Sequence, residues 1–129
     1  MTPDNDAPAV PAAIPESGGA PAEMPTSASH AILTPPIGEL LEDLFATLEQ
    51  RRRDMPEGSY TAQLLGGKQD KLLKKIAEES GEVIIAACEH DVAQLRYELG
   101  DLLYHMLVVM VREGLTLDDL SAELAARRS

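Results

Sequence analysis

The chain has no tryptophan, one phenylalanine, one cysteine and only half as many basic as acidic residues among its 129. The lone Cys88 excludes an intramolecular disulfide. Eleven lysines and arginines against 22 aspartates and glutamates leave a formal charge of −11. Without a basic face, neither duplex DNA nor an anionic membrane is an expected partner. Long apolar stretches are missing as well. The longest, LLYHMLVVMV from Leu102 to Val111, falls far short of the roughly 20 residues a bilayer span needs, and it contains His105. No basic start followed by an apolar segment opens the sequence, so a reduced, cytoplasmic protein is the expectation.

What is present divides into two parts. Residues 1–36 hold eight of the nine prolines, four acids and no lysine or arginine. Such a segment has little apolar surface to offset the entropy of ordering, and it reads as a disordered Pro/Ala-rich acidic tail. Residues 37–129 lack the alternation of a strand and read as one all-α domain. A first helix is predicted over 37–53, with Leu40, Leu41, Leu44, Phe45 and Leu48 at helical spacing. A turn with Pro56 and Gly58 follows, then a short helical piece at 60–65 stopped by Gly66 and Gly67. The next helix spans about 68–89. Asp91 and Gln94 form a capping-box start for another that runs to Glu113 and stops at Gly114. Thr116, followed by Asp118 and Asp119, starts the last, whose end carries Arg127 and Arg128.

These spans predict a small antiparallel bundle of about four main helices. The connection at 89–91 is so short that the helices on either side of it must form an antiparallel hairpin. The segment from Leu102 to Val111 is apolar nearly all round, and a domain of this size has difficulty covering it alone. The bundle is therefore expected to be completed by a homo-oligomer, in the first instance a dimer.

The hairpin also carries the acids. At about 100° per residue, Leu72, Ile76, Val83, Ala86 and Ala87 fall on one face of the first arm with Glu79 near its centre. Lys71, Lys75, Glu78 and Glu82 line one edge of that face. On the second arm, Leu95, Leu99, Leu102, Met106 and Val109 make an apolar face, and Glu98, Asp101, His105 and Arg112 its edge. Any one of these glutamates is most simply a solvated helix residue, paired with a nearby lysine for about 0.3–0.5 kcal/mol. Taken as a set flanking a buried seam, they are too many for that. Partly desolvated like charges cost several kcal/mol by rough estimate unless neutralised. Mg²⁺, which takes carboxylate, water and phosphate oxygens, fits the need, with Mn²⁺ as an alternative.

Other candidates are weaker. His105 alone reads as a hydrogen-bonded core histidine, but its place beside the acids makes it a candidate for chemistry. Arg51, Arg52 and Arg53 suit a helix C-terminus and also precede a loop from which they could reach phosphate. The GGK at 66–68 is too short and wrongly framed for a P-loop.

Written out, the acids read Glu79-x-x-Glu82 and then, after fifteen residues, Glu98-x-x-Asp101. This resembles the E-x-x-E…E-x-x-D signature of the all-α nucleotide pyrophosphohydrolases, the MazG-like superfamily. SYTAQLL at 59–65, DKLLKKIAEESGEVIIAA at 70–87, ELGDLLYHMLVVM at 98–110 and GLTLDDLSAEL at 114–124 are, in order and spacing, similar to the phosphoribosyl-ATP pyrophosphohydrolases. The resemblance extends over residues 39–128. It implies Mg²⁺-dependent hydrolysis of 1-(5-phosphoribosyl)-ATP by water to 1-(5-phosphoribosyl)-AMP and pyrophosphate, the second step of histidine biosynthesis. By that resemblance Glu78, Glu79, Glu82, Glu98 and Asp101 match the metal-binding positions, and Glu79, Glu82 and His105 are the candidates for catalysis. Lys68, Lys71, Lys75, Arg51 and Arg52 are the cations available to phosphate, with Tyr60 a substrate contact. Ser80, Gly81 and Gly100 depart from the usual small residues of the family, and each glycine costs roughly 1 kcal/mol of helix propensity. The cyclohydrolase domain fused to some relatives is not found in this sequence, so a functional link to a separate phosphoribosyl-AMP cyclohydrolase is expected.

Two other functions are compatible with parts of the pattern. One keeps the fold and metal but hydrolyses canonical or damaged nucleoside triphosphates. The other is a non-enzymatic helical oligomerisation module.

Overall fold

The structure, a computed structural model, describes residues 33–128. The predicted disordered tail lies, except for its last four residues, outside the described residues. Five helices are assigned in order, and no strand occurs among the described residues. They are α1 (Ile37–Asp54), α2 (Tyr60–Gly66), α3 (Gln69–Cys88), α4 (Val92–Glu113) and α5 (Leu117–Ala126). The bounds match the sequence expectation to within a residue or two, because the starts and stops are strong local signals.

Pro36, which has no N–H to leave unsatisfied, precedes α1, and its carbonyl accepts from the Leu40 N–H at 3.0 Å. The Ser59 hydroxyl accepts from Ala62 N–H at 3.1 Å and starts α2. At the start of α5, Thr116 and Asp119 form a full capping box. The start of α4 differs from expectation: the Asp91 carboxylate accepts from the Gln94 N–H at 3.1 Å, but the Gln94 side chain turns to Glu98. A buried carboxylate has the greater need of a donor than an exposed helix start.

The α3–α4 turn closes with His90 in the left-handed region at φ 57, its N–H on the Ala87 carbonyl at 3.1 Å and the Asp91 N–H on Ala86 at 3.0 Å. Gly114, at φ 81, ends α4 in the same way, with Leu115 N–H on the Met110 carbonyl at 2.8 Å. The turn at His90 reverses the chain within three residues and packs α3 against α4.

The core lies where α4 meets α1 and α2. Phe45 and Leu48 of α1, Tyr60, Leu64 and Leu65 of α2, Leu72 of α3, and Tyr104, Leu107, Val108, Met110 and Val111 of α4 form one cluster. Full burial of a leucine such as Leu48, Leu72 or Leu107 stabilises by about 1.5–3 kcal/mol. Two arginines tie the layers together. Arg52 donates to the Val111 carbonyl in the last turn of α4, and Arg112 donates to the Leu64 carbonyl at 2.7 Å near the end of α2. The Leu64 carbonyl lies in the last turn of α2, where carbonyls lack the usual partner four residues on, and the Val111 carbonyl accepts from the Gly114 N–H at 3.2 Å as well as from Arg52.

The inward face of α4 is not the one its leucines suggested. Leu99 and Met106, expected in the core, are 48% and 45% exposed, while Glu98, Tyr104 and His105 are buried. A helix apolar nearly all round gives little periodic contrast, so the side turned inward is decided by what α1 and α2 can pack against. On α3 the expected line holds: Leu72, Glu79 and Ala86, at seven-residue intervals, are its buried residues. Ala87, placed on the same line, is exposed. No helix among the described residues is long and apolar enough to cross a membrane.

Candidate active site

Glu79 occupies a position of the α3 seam that a leucine or alanine would otherwise fill. Glu98 and Asp101 stand one turn apart on α4, so the antiparallel hairpin brings all three together. One carboxylate oxygen from each lies within 4.8 Å of the others, and Glu79 and Glu98 are buried while Asp101 is half-buried. Only limited compensation is present. Lys75, one turn before Glu79, reaches it at 3.5 Å, and the Gln94 amide donates to Glu98 Oε2 at 2.6 Å.

The consequence is a perturbed carboxyl. Glu79 is pushed up from 4.5 to about 7, first by burial, then by a hydrogen bond with Glu98 and by the charges of Asp101 and Glu98, with Lys75 opposing. A carboxyl near 7 exchanges its proton at neutral pH. The same donor set, three hard oxygen ligands aimed at one volume and short of positive charge, suits a divalent cation such as Mg²⁺.

Not all expected acids join this group. Glu78 is exposed and sits 4.0 Å from Lys74, an ordinary surface pair. Glu82 is exposed as well, and neither lies in the close trio. On α3 these two follow the edge of the seam, so they flank the trio from the solvent side.

His105 lies one turn beyond Asp101 and is completely buried. Its Nδ1 is 2.8 Å from the Asp101 main-chain carbonyl, which can only accept, so Nδ1 carries the hydrogen. Burial holds the imidazole below its usual pKa, outweighing the opposing pull of Asp101. With the hydrogen on Nδ1, the neutral imidazole carries its lone pair on Nε2, which faces the Tyr60 hydroxyl at 3.3 Å as an acceptor. Both Tyr60 and Tyr104 set their rings edge-on to the imidazole. The Tyr104 hydroxyl is paired with Thr61 Oγ1.

The expected phosphate-binding cations separate into groups. Lys71 is exposed, with its ammonium 5.3 Å from the centroid of the Tyr60 ring. Lys75 belongs to the acid trio, and Lys68 is exposed just ahead of α3. Arg51 is half-buried, and its charge pulls the Tyr104 phenol downward against the larger effect of burial. Arg52 is occupied by Val111, so its guanidinium serves packing in this structure instead of standing open to phosphate.

Sequence reasoning overlooked two partners. Gln94 sits four residues before Glu98, a spacing that marks a facing pair, and could have been found. The Thr61–Tyr104 pair spans 43 positions and leaves no local signal.

The model of the family described as phosphoribosyl-ATP pyrophosphohydrolase matches residues 41–128. A phosphoribosyl-ATP pyrophosphatase of Pelotomaculum thermopropionicum is 48% identical over 90 residues, which are 70% of this chain and 92% of that protein. One from Limosilactobacillus fermentum is 47% identical over 87 residues, 67% of this chain and 82% of its own length. The histidine biosynthesis bifunctional protein HisIE of Thermus thermophilus is 43% identical over 91 residues, which are 70% of this chain but 42% of that protein.

Proposed function

Because the chain belongs to the phosphoribosyl-ATP pyrophosphohydrolase family, we propose that the Glu79–Glu98–Asp101 group is the Mg²⁺-holding centre at which it cleaves its substrate. The protein is a hydrolase of histidine biosynthesis that converts phosphoribosyl-ATP and water to phosphoribosyl-AMP and pyrophosphate. The observation that carries the assignment of the site is the convergence of three carboxylates around one volume, with Lys75 and the Gln94 amide to offset them among the described residues.

Glu79, Glu98 and Asp101 hold the ion, or Mn²⁺ in its place. Glu82 and Glu78, the exposed acids of the same strip, complete its surroundings on the substrate side. Mg²⁺ bound there supplies the charge neutralisation that lets a polyphosphate approach so acidic a surface. The chain's own residues do the rest. Lys71, Lys75 and Lys68 share the phosphate charge, and the burial of Glu79 and Glu98 keeps bulk water from the ligand oxygens. Glu79, with Glu82 beside it, is placed to take the proton of the water that attacks the α-phosphorus as pyrophosphate departs.

The active form is a homo-oligomer, a dimer in the first instance. Leu99, Leu103 and Met106 form an exposed apolar row on α4, and Ile84 and Ile85 of α3 are exposed as well, which supports burial against a second copy. The product passes to a separate phosphoribosyl-AMP cyclohydrolase in the cytoplasm, a link suggested by relatives of the bifunctional kind.

The test is hydrolysis of phosphoribosyl-ATP by the purified chain with and without Mg²⁺, with the products identified, beside a panel of deoxynucleoside triphosphates. Release of pyrophosphate from phosphoribosyl-ATP only with the ion is the expected result. Preference for a deoxynucleoside triphosphate would move the protein to a house-cleaning role. No turnover of either kind, with Glu79→Gln and Asp101→Asn leaving Mg²⁺ binding unchanged, would leave only a helical assembly module.

A further inference from the structure

His105 touches the site from behind, and its surroundings show what it does there. The side chain is fully buried, and both ring nitrogens are engaged, one by the Asp101 carbonyl at 2.8 Å and one by the Tyr60 hydroxyl at 3.3 Å. A group so placed has no open atom to offer a substrate. Tyr60 is the first residue of α2, and its ring in turn lies under the Lys71 ammonium.

The lysine strip of α3 explains why this matters. Lys75 has an acid one turn on and closes onto Glu79 at 3.5 Å. Lys74 likewise has Glu78 one turn on, at 4.0 Å. Lys71 has Lys75 at that spacing, and Glu79 is two turns away, about 12 Å along the axis. An aromatic face attracts a cation without neutralising it, so Lys71 keeps its full charge and its exposure to solvent.

We propose that His105 is a positioning residue which, by fixing the Tyr60 ring, holds Lys71 apart from the acid trio as a charged binding group for the substrate's phosphates. This deepens the functional assignment above and rests on it for the identity of the substrate. The contact between the Tyr60 hydroxyl and Nε2 anchors the far end of a ring that already packs in the core and stands edge-on to the imidazole. The imidazole can accept that hydrogen bond only while Nδ1 carries its hydrogen, which the Asp101 carbonyl enforces.

The experiment compares the wild type, Tyr60→Phe, His105→Gln, Lys71→Met and the double variant Tyr60→Phe/Lys71→Met in the full chain. It measures kcat and KM for phosphoribosyl-ATP, affinity for inorganic pyrophosphate in Mg²⁺, and melting curves. Tyr60→Phe keeps the ring and removes the hydroxyl that meets Nε2, so it guards against a His105 variant that fails to fold. The expected result is a KM and a pyrophosphate dissociation constant raised by about 10-fold, and at most about 100-fold, in each single variant, with kcat nearly unchanged. The double variant should be no worse than Lys71→Met alone. The pH profile of kcat should keep its shape in His105→Gln, and nitrogen NMR of the wild type should find Nδ1 protonated and Nε2 bare.

Loss of a limb of the pH profile, a fall in kcat at unchanged KM, or additive effects in the double variant would overturn the proposal. If the wild type fails to turn over phosphoribosyl-ATP, the substrate assignment falls, while the pyrophosphate affinities and the tautomer still decide the role of His105.

Discussion

Two clusters of buried polar side chains sit a turn apart on α4, and they are opposites. Around His105, every polar atom described has a partner: Nδ1 with a carbonyl, Nε2 with Tyr60, the Tyr104 hydroxyl with Thr61. Around Glu79, three carboxylates face one another with one lysine and one amide between them. Buried polar groups that satisfy one another specify packing, whereas crowded carboxylates repel unless a proton, as on Glu79 beside Glu98, or a bound cation offsets them. The first cluster is a fastening, and the second is the centre proposed for the metal and the substrate.

The largest effect should come from breaking the site. Glu79→Gln or Asp101→Asn keeps the shape and removes one charge. Pyrophosphate release should fall by more than the roughly 10- to 100-fold expected for a group behind a metal ligand. The melting temperature of the metal-free protein should stay level or rise, since a repulsion has gone. A fall in both together would mean that the trio serves the fold.

A second test uses pH. Glu79 titrates at about 7 in the folded chain against 4.5 as an isolated group, so the folded state binds the proton more tightly. That contribution is fully present below about 4.5 and is lost as pH rises through about 7. Metal-free protein should therefore lose stability across this window, as read by thermal melts. Added Mg²⁺ should restore it at the upper end, and Glu79→Gln should remove this part of the pH dependence.

Breaking the fastening should be milder and should show in stability. Tyr104→Phe leaves the Thr61 hydroxyl buried without its partner, at a cost of about 1–3 kcal/mol in denaturant unfolding. Arg52→Ala should cost about 1.5–3 kcal/mol, the worth of a hydrogen bond to a charged donor. If Arg52→Ala instead raises KM with stability unchanged, the arginine reaches phosphate after all. The smallest change is expected in Glu78→Gln, where an exposed pair with Lys74 contributes about 0.3–0.5 kcal/mol. Comparison of its Mg²⁺ affinity with that of Glu82→Gln and Glu79→Gln would rank the acids from the surface inward.

The helices and their ends were legible in the sequence because caps, glycines and prolines act within a few residues. Ser59, Thr116 and Gly114 do what their chemistry allows and little else. The acid pattern was legible too, as spacing along two arms of one hairpin, and the place of Glu79 in the α3 seam followed from its lying seven residues from both Leu72 and Ala86. The tertiary structure alone decided which side of α4 turned inward. Its apolar residues circle the helix, so only packing against α1 and α2 could choose Tyr104 and His105 over Leu99 and Met106. It also decided which acids meet. Spacing set Glu79 within the buried face and Glu78 and Glu82 on its edge, but only the packed hairpin shows that Glu79 meets Glu98 and Asp101 while the edge acids stay exposed. The links of His105 to Tyr60 and of Tyr104 to Thr61 cross more than forty residues, a range at which sequence pattern carries no geometry and the packed chain supplies all of it.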